Sequence, residues 1–305
     1  VSVVAGGTDW ATFAWTAALS LSYAAIMLTA RVVGAYADAH AAKKKLLLIA
    51  TAGCVLFTAG LYFAKPGAIA LAIVLIVLSN FFFACGENLI AAFLPELAES
   101  KAMGRVSGWG WAFGYLGGLV SLGISLAYIT WAQGQGQGGS DFVPVTMLIT
   151  AVVFAIAATP TFLFLRERAV PQPRTENPWT RVLHTLRHAR EYQDLRRFLI
   201  CILFYQAGIM AVIALAAIYA QEAMKFTTQQ TIVLILVVNI TAAVGAFGLG
   251  YLQDAIGHIR SMLLVLVGWI VMIALAYLAE GVAMFWVAAN LAGLCMGSSQ
   301  AAGRA

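Results

Sequence analysis

Two short polar segments between long apolar stretches carry the same residue types at the same spacing. In one, Asp38 follows Gly34 by four residues, in the other Asp254 follows Gly250 by four, and the two pairs stand 216 residues apart. A carboxylate at a helix end can accept hydrogen bonds from the N-terminus of a neighbouring helix or pair with a base. The alternative is a solvated turn whose lysines only set the orientation of the chain in a membrane. Such a turn would not need the repeated glycine–aspartate spacing. The full predicted set is Gly34, Asp38, Lys43, Lys44, Gly250, Asp254, Gly257 and Arg260.

A second group of polar residues lies inside the apolar stretches themselves. Glu87 and Asn88 are adjacent in one of them, and a charged group inside a bilayer is costly enough to be a functional candidate by default. We expect Glu87 to carry protons or bind a substrate, or else to form a structural ion pair with Arg31. Hydrogen bonding between helices is the alternative role for each uncharged polar residue. The predicted substrate-binding or coupling set is Glu87, Asn88, Tyr205, Gln206, Asn239, Asn290 and Arg31.

The elements that position these residues are predicted to be membrane-spanning helices. The chain has 305 residues, of which 62% are hydrophobic and 10% charged, whereas about a quarter of the residues in soluble domains are charged. Apolar stretches of about 20 residues, the length of a spanning helix, follow one another along nearly the whole chain. Strands of membrane barrels are shorter and alternate polar with apolar residues. The sequence therefore predicts an all-α polytopic membrane protein with nine spans, near 10–33, 45–63, 67–92, 106–130, 144–165, 198–220, 229–252, 261–279 and 282–303.

The basic residues follow the predicted topology. Of the 18 lysines and arginines, fifteen fall on the side of Lys43, only Lys65 and Lys225 fall on the opposite side, and Arg31 lies near the end of the first span. This bias is typical of the cytoplasmic side of a membrane protein. The pI of about 9.1 therefore indicates topology, and the lipid bilayer rather than nucleic acid is the expected partner. His184 and His188 are four residues apart, a spacing that could bind a metal, but no third ligand is evident, and the four cysteines form no CxxC pair. No metal and no cofactor are therefore predicted.

One predicted span is rich in glycine. Gly110, Gly114 and Gly118 recur every four residues, so they lie on one helix face. Gly108 and Gly117 lie in the same predicted span. A face of small residues lets a second helix approach closely. We expect either a static packing surface or a sliding surface in a protein that changes conformation.

The longest polar stretch, residues 166–197, divides the predicted spans into two groups. From Asn177 onward its apolar residues follow helical spacing opposite arginines and histidines, which is typical of an amphipathic helix on the membrane surface. We predict an N-terminal half-bundle at 1–165, a cytoplasmic central loop at 166–197 and a C-terminal half-bundle at 198–305. Six predicted spans separate the two polar segments, so both lie on one side of the membrane. Parallel repeats of six helices around a central cavity are typical of one transporter architecture.

These features resemble the major facilitator superfamily. Segment 34–45 is similar to that superfamily's GxxxDRxGRR loop between helices two and three, and 250–260 stands where the second half carries its equivalent. Ala39, Ala41 and Ala42 replace the usual Arg, Gly and Arg. The resemblance implies that the nine spans are helices two to ten of twelve and that the chain is a fragment. It also implies a gating role for the two polar segments on the cytoplasmic side.

Within the superfamily, the chain resembles the vacuole-effluxer-like branch, which includes an autophagy-related vacuolar amino-acid effluxer. Three regions carry this resemblance: Leu94–Ala98 with Gly104–Gly118, Tyr205–Gly208 with Ala216–Ala220, and Gly297–Arg304. In the second region Gln206 and Ala207 replace a more usual Asn-Asp pair. The branch implies a secondary transporter whose halves rock around a mid-membrane site, with amino acids as substrates and with efflux favoured over uptake.

The energy source and setting follow from the same residues and resemblance. The chain has no GxxxxGK[ST] segment, so we expect an ion gradient, with protons as the first choice, rather than ATP. A monomer in the bacterial cytoplasmic membrane, moving a small-molecule substrate and not acting as an enzyme, is the expected form. The alternatives are a transporter for another small solute, such as a drug, a sugar or a peptide-like compound, and a non-transporting membrane scaffold or sensor.

Overall fold

The computed structural model describes residues 11–99, 102–168, 193–279 and 281–303. These residues fold into helices joined by short turns. In chain order the helices are α1 (Ala11–His40), α2 (Lys43–Gly60), α3 (Ile69–Ala91), α4 (Leu94–Leu97), α5 (Met103–Gly134), α6 (Gly139–Phe164), α7 (Gln193–Glu222), α8 (Thr228–Ile256), α9 (His258–Tyr277) and α10 (Val282–Ala302). A short 3-10 turn, Leu61–Phe63, follows α2.

Nine helices within the described ranges are long and apolar enough to cross a bilayer. They confirm the predicted number of spans and the all-α fold of a multi-pass membrane protein. With the 3-10 turn counted as part of the α2 span, the shortest span is α9, which has 20 residues. At 1.5 Å per residue it is about 30 Å long, the thickness of the hydrocarbon core. Helices are the expected solution because each one satisfies its backbone hydrogen bonds internally, where no water is available.

The two polar segments end their helices later than the sequence predicts. The predicted spans end near 33 and 252, with the two aspartates beyond them. In the structure α1 continues to His40 and α8 to Ile256, so Asp38 and Asp254 lie in the last turns of their helices. The physical reason is that a single glycine lowers helix propensity by only about 1 kcal/mol. The helix ends instead where the backbone changes conformation, a few residues later.

The conformational change occurs at Ala41 and Gly257, which are again 216 residues apart. Ala41 has a φ of 46°, and the next residue, Ala42, donates its N–H to the carbonyl of Ala37 at 3.0 Å, the arrangement that closes many helix C-termini. Gly257 has φ 87° and ψ 161°, a region that essentially only glycine adopts. The repeated spacing therefore extends from residue types to backbone conformation.

Replacing Gly257 by alanine is expected to destabilise the protein by about 1–3 kcal/mol, because alanine is strained at this φ and ψ. Among the described residues, a Cβ added at this position meets no heavy atom within 4 Å, so the expected effect comes from the backbone. The melting temperature of the purified protein in detergent should fall by several degrees.

The matched control for Gly257→Ala is Ala41→Gly, at the equivalent turn. Glycine carries no steric penalty at a positive φ, so this change should keep or raise the melting temperature. Equal losses from the two substitutions would contradict a glycine requirement specific to Gly257.

The chain divides into two compact units. Unit 1 comprises 1–100 and 117–173, and unit 2 comprises 101–116 and 174–305. Helix α5 starts in unit 2 and continues in unit 1 from Gly117. The predicted division at 166–197 remains a prediction, and most of its amphipathic helix lies outside the described residues.

Each unit has its own apolar core. In unit 1, helices α1, α2, α3 and α6 pack together, and Phe93 is fully buried among their side chains. In unit 2, α8, α9 and α10 pack on one another, with Trp269 of α9 buried at 5% exposure. These cores hold the helix ends that carry the polar segments.

Candidate functional site

Asp254, in the last turn of α8, binds the first turn of α5 within unit 2. Its carboxylate accepts hydrogen bonds from the backbone N–H of Gly104 (3.2 Å) and of Arg105 (3.3 Å), and from Nε of Arg105 (3.1 Å). The first N–H groups of a helix have no partner within it and lie at the positive end of the helix dipole. The side chain of Asp254 is 15% exposed and that of Arg105 is 48% exposed. Asp254 therefore caps α5 with a mostly buried charge.

The position of Asp254 in its own helix is electrostatically poor. The C-terminus of a helix carries a partial negative charge, so a carboxylate in the last turn of α8 is repelled by that helix. The positive N-terminus of α5 and the guanidinium of Arg105 offset this repulsion. Asp254 thus gains its favourable interactions from α5, and it would lose them if α5 moved away.

Small residues let α5 and α8 approach closely enough for this cap. A Cβ added to Gly108 would stand 2.6 Å from the carbonyl oxygen of Ala246, and one added to Gly250 would stand 2.7 Å from that of Gly104. Gly104 and Gly108 are four residues apart on α5, as Ala246 and Gly250 are on α8, so each pair lies on one helix face. We call this contact the α5–α8 clasp, formed by Gly104, Arg105, Gly108, Ala246, Gly250 and Asp254.

Helix α10 contacts the same part of α5. The hydroxyl of Ser107 donates to the carbonyl of Ala301 at 2.8 Å, and the hydroxyl of Tyr115 donates to Oε1 of Gln300. Ser107 and Tyr115 are both buried, so these bonds form away from water. The first three turns of α5 are thereby held by both α8 and α10.

The start of α2 has a different arrangement, within unit 1. Nζ of Lys43 lies 2.8 Å from Oε1 of Glu96, and the two side chains are only 12% and 15% exposed. Glu167, just after α6, accepts hydrogen bonds from the backbone N–H of Lys43 (2.7 Å) and Lys44 (3.1 Å). The first polar segment therefore contacts two carboxylates that lie far from it in sequence. Asp38 is half-buried in the last turn of α1 and has an interaction partner.

Replacing Lys43 by methionine is expected to lower the free energy of unfolding by about 1–3 kcal/mol, because Glu96 would keep a mostly buried charge without its ammonium partner. Glu96→Gln should cost less, and the double variant should lose less than the sum of the two single losses. Unfolding free energies of the four proteins measure this coupling.

The matched control for Lys43→Met is Lys45→Met, in the same turn of α2. Lys45 is exposed, and we expect its replacement to change stability by no more than about 0.5 kcal/mol. Additive losses for Lys43 and Glu96 would mean that their ion pair adds no stability.

The predicted coupling residues of unit 1 lie in α1 and α3. Glu87 is half-buried and Asn88 is exposed, both near the end of α3, while Arg31 is exposed on α1. Glu87 and Arg31 each have an interaction partner, so neither is an isolated charge. The choice between a proton carrier and a structural ion pair remains a prediction.

The predicted coupling residues of unit 2 are half-buried on three helices. Tyr205 and Gln206 lie on α7, and Tyr205 packs against the apolar core of unit 2. The amide of Asn239 on α8 donates to the carbonyl of Ile235, and that of Asn290 on α10 donates to the carbonyl of Trp286, each at 2.8 Å. Both asparagines therefore turn back onto their own helices. No group of three His, Cys, Asp or Glu residues that could hold a metal ion occurs in the described ranges.

The remaining predicted positions are more open than the clasp. A Cβ added to Gly110, Gly114 or Gly117 meets no heavy atom within 4 Å among the described residues, and Gly118 is half-buried in the same helix. Of the glycines predicted for helix packing, Gly108 therefore lies at a close approach, whereas the role of the others stays a prediction. A Cβ at Gly34 also meets nothing within 4 Å in the part of the chain that the structure describes, and Arg260 is exposed.

Sequence reasoning did not identify several residues of these contacts. Gly104 and Arg105 belong to the site because the carboxylate of Asp254 binds them, and the four-residue spacing from Gly104 to Gly108 was the available signal. Glu96 and Glu167 bind the start of α2 through their carboxylates. Their signal was weaker: Glu167 is an acid between Arg166 and Arg168, and Glu96 follows Pro95 just after the end of a predicted span.

Comparison with known proteins gives two matches. The family described as "Vacuole effluxer Atg22 like" matches residues 98–305. The chain is also 24% identical, over 291 residues, to "Uncharacterized MFS-type transporter YxiO" of Bacillus subtilis (strain 168). That alignment covers 94% of this chain and 68% of the relative.

Proposed function

We propose that this chain, which belongs to the Atg22-like vacuole effluxer family, exports amino acids from the cytoplasm by alternating access. It is a multi-pass membrane transporter of the major facilitator type with a small-molecule substrate. The amino-acid substrate and the outward direction are supported by the resemblance of Leu94–Ala98 and Gly104–Gly118 to the amino-acid effluxers of the family. A monomer in the bacterial cytoplasmic membrane, with half-bundles at 1–165 and 198–305, completes the proposal.

The α5–α8 clasp is the single observation that carries the mechanism. Alternating access needs two states of similar free energy, so a contact that closes one side must also be able to break. A carboxylate that caps one helix contributes on the order of 1–3 kcal/mol. A contact of this strength can hold one state closed and still break during the transport cycle. We propose that the cytoplasmic side is closed while Asp254 caps α5, and that it opens when α5 leaves Asp254.

Proton coupling at Glu87 is the proposed energy source. A half-buried carboxylate on a spanning helix can take up a proton on one side of the membrane and release it on the other. Replacing Glu87 by glutamine keeps the size of the side chain and removes its titration. Loss of the pH dependence of transport in this variant would support the proposal, and unchanged pH dependence would exclude Glu87 as the proton carrier.

Counterflow in proteoliposomes tests the proposed substrate. Vesicles that contain the purified full-length protein are loaded with an unlabelled amino-acid mixture and placed in a trace of labelled amino acid. Saturable accumulation of label is the expected result, and its absence in protein-free vesicles is the control. Counterflow of a sugar or drug but of no amino acid would replace the substrate class. Absence of all counterflow from folded protein would contradict the proposal.

A further inference from the structure

The first turn of α2 is electrostatically unfavourable by itself. It opens with Lys43, Lys44 and Lys45, three positive charges at the positive end of a helix dipole. The preceding residue, Ala42, makes no side-chain cap, and its ψ of 21° is not the extended conformation from which a local side chain reaches the first N–H groups. The residue before this turn therefore supplies no N-cap.

Two carboxylates from other parts of unit 1 supply what the turn lacks. Glu167 accepts from the N–H of Lys43 at 2.7 Å and of Lys44 at 3.1 Å, which replaces the missing N-cap. Glu96 binds the ammonium of Lys43 at 2.8 Å through Oε1. The other oxygen of Glu96 accepts from the backbone N–H of Arg168 at 2.9 Å. Glu96 thus joins the start of α2 to the segment that carries Glu167.

We infer that Glu167 and Glu96 are positioning residues that fasten the segment Leu165–Arg168 to the start of α2 and so fix the α1–α2 turn during transport. This segment follows α6 directly and leads toward the basic central stretch. The turn that it fixes contains Ala41 at positive φ and stands three residues after Asp38. The part of the inference that concerns transport rests on the proposed function.

In this arrangement the stability of the first turn of α2 depends on the docking of Leu165–Arg168. When Leu165–Arg168 is docked, the first N–H groups of α2 are bonded to the carboxylate of Glu167. When the segment leaves, those N–H groups lose this acceptor at a helix start that carries three lysines, and the first turn loses its cap. Docking of Leu165–Arg168 therefore determines how stable the turn beside Asp38 is.

Hydrogen–deuterium exchange of the full-length protein, with the variant Glu167→Gln, tests the cap directly. Glutamine has the same size but no negative charge, so amides of Lys43 and Lys44 should exchange about tenfold faster. Amides of the equivalent α8–α9 turn, around Gly257, should keep their rates. The matched control is Glu99→Gln, since Glu99 is an exposed acid three residues from Glu96. Glu167→Asp keeps the charge on a shorter side chain and should recover part of the protection.

Transport kinetics separate a positioning role from a purely structural one. In Glu167→Gln the maximal rate should fall several-fold while the half-saturating substrate concentration stays unchanged, and Glu167→Asp should be intermediate. Unchanged exchange at Lys43 and Lys44 would show that Glu167 does not cap α2. Faster exchange with a normal maximal rate would overturn the positioning role. The exchange measurement needs no substrate, so a wild-type protein without amino-acid flux would refute the proposed function and leave the test of the cap intact.

Discussion

Replacing Asp254 by asparagine is expected to weaken the α5–α8 clasp by about 2 kcal/mol and to shift the ratio of closed to open protein about thirtyfold toward the open state. Asparagine keeps the size of the side chain and one acceptor oxygen, but it lacks the charge that attracts the helix N-terminus and Arg105. Hydrogen bonds to a charged acceptor are roughly twice as strong as neutral ones. Because transport requires both states, the rate of net export should fall about tenfold or more.

Accessibility of Ser107 measures this shift without reference to any substrate. Ser107 is buried and bonded to the carbonyl of Ala301, and cysteine replaces its hydroxyl with little change in shape. In a background where the exposed Cys201 is replaced by serine, a maleimide that does not cross the membrane labels Ser107→Cys from the cytoplasmic side. Labelling should be faster when Asp254 is also replaced by asparagine, by up to about thirtyfold where the closed state predominates in the parent protein, because the labelling rate follows the open population.

Asp194→Asn is the matched control for Asp254→Asn. Asp194 lies in the first turn of α7 and stands 3.8 Å from Arg197, with both side chains largely exposed. Such surface pairs contribute little to stability, and this one contacts no part of the clasp. Its replacement should leave labelling and export unchanged. Equal labelling of Ser107→Cys with and without the Asp254→Asn substitution would show that the cap does not hold α5.

The membrane spans and the repeated polar segments were predictable because both depend on local sequence. A span is recognised by about 20 consecutive apolar residues, and nine such stretches became nine helices in the described chain. The 216-residue offset between Asp38 and Asp254 is a property of residue types alone. What the spacing does not specify is the partner of Asp254, because Gly104 and Arg105 lie about 150 residues away and reach it only through tertiary packing.

The glycine face that packs was also beyond local sequence. Gly110 and Gly114 are four residues apart, as Gly104 and Gly108 are, so the two stripes look alike in periodicity. They point in different directions around α5, and only the rotation of the helix decides which stripe meets α8. That rotation is set by contacts such as the hydrogen bond from the hydroxyl of Ser107 on α5 to the carbonyl of Ala301 on α10, which no periodicity reveals.

The distribution of charged residues predicted on which side of the membrane Lys43 lies, but not which contacts Lys43 makes. A row of three lysines is sufficient to explain topology, and the sequence does not specify which acid would pair with it. In the structure the ammonium of Lys43 pairs with Glu96, and the backbone N–H groups of Lys43 and Lys44 donate to Glu167. A lysine row at a helix start conflicts with the dipole of that helix, and this local conflict was the available indication of a compensating partner.

Replacing Gly108 by alanine is expected to lower the free energy of unfolding by about 1–3 kcal/mol and to open the clasp. The new Cβ would lie 2.6 Å from the carbonyl oxygen of Ala246, a backbone atom that cannot turn aside, so α5 and α8 must separate by several tenths of an ångström. The bonds from Gly104 and Arg105 to Asp254, at 3.2 and 3.3 Å, have little room to lengthen before they cease to be hydrogen bonds. Melting temperature and the labelling of Ser107→Cys report the two effects.

Gly114→Ala provides a control with the opposite sign. It adds the same methyl group to the same helix six residues later, where nothing lies within 4 Å in the described chain. Alanine is the better helix former by about 1 kcal/mol, so the melting temperature should rise. Since Gly108→Ala and Asp254→Asn both act by releasing α5 from α8, the double variant should label little faster than either single variant. Multiplicative effects on labelling, or a common shift of melting temperature for Gly108→Ala and Gly114→Ala, would show that close packing and the carboxylate cap are separate features rather than one clasp.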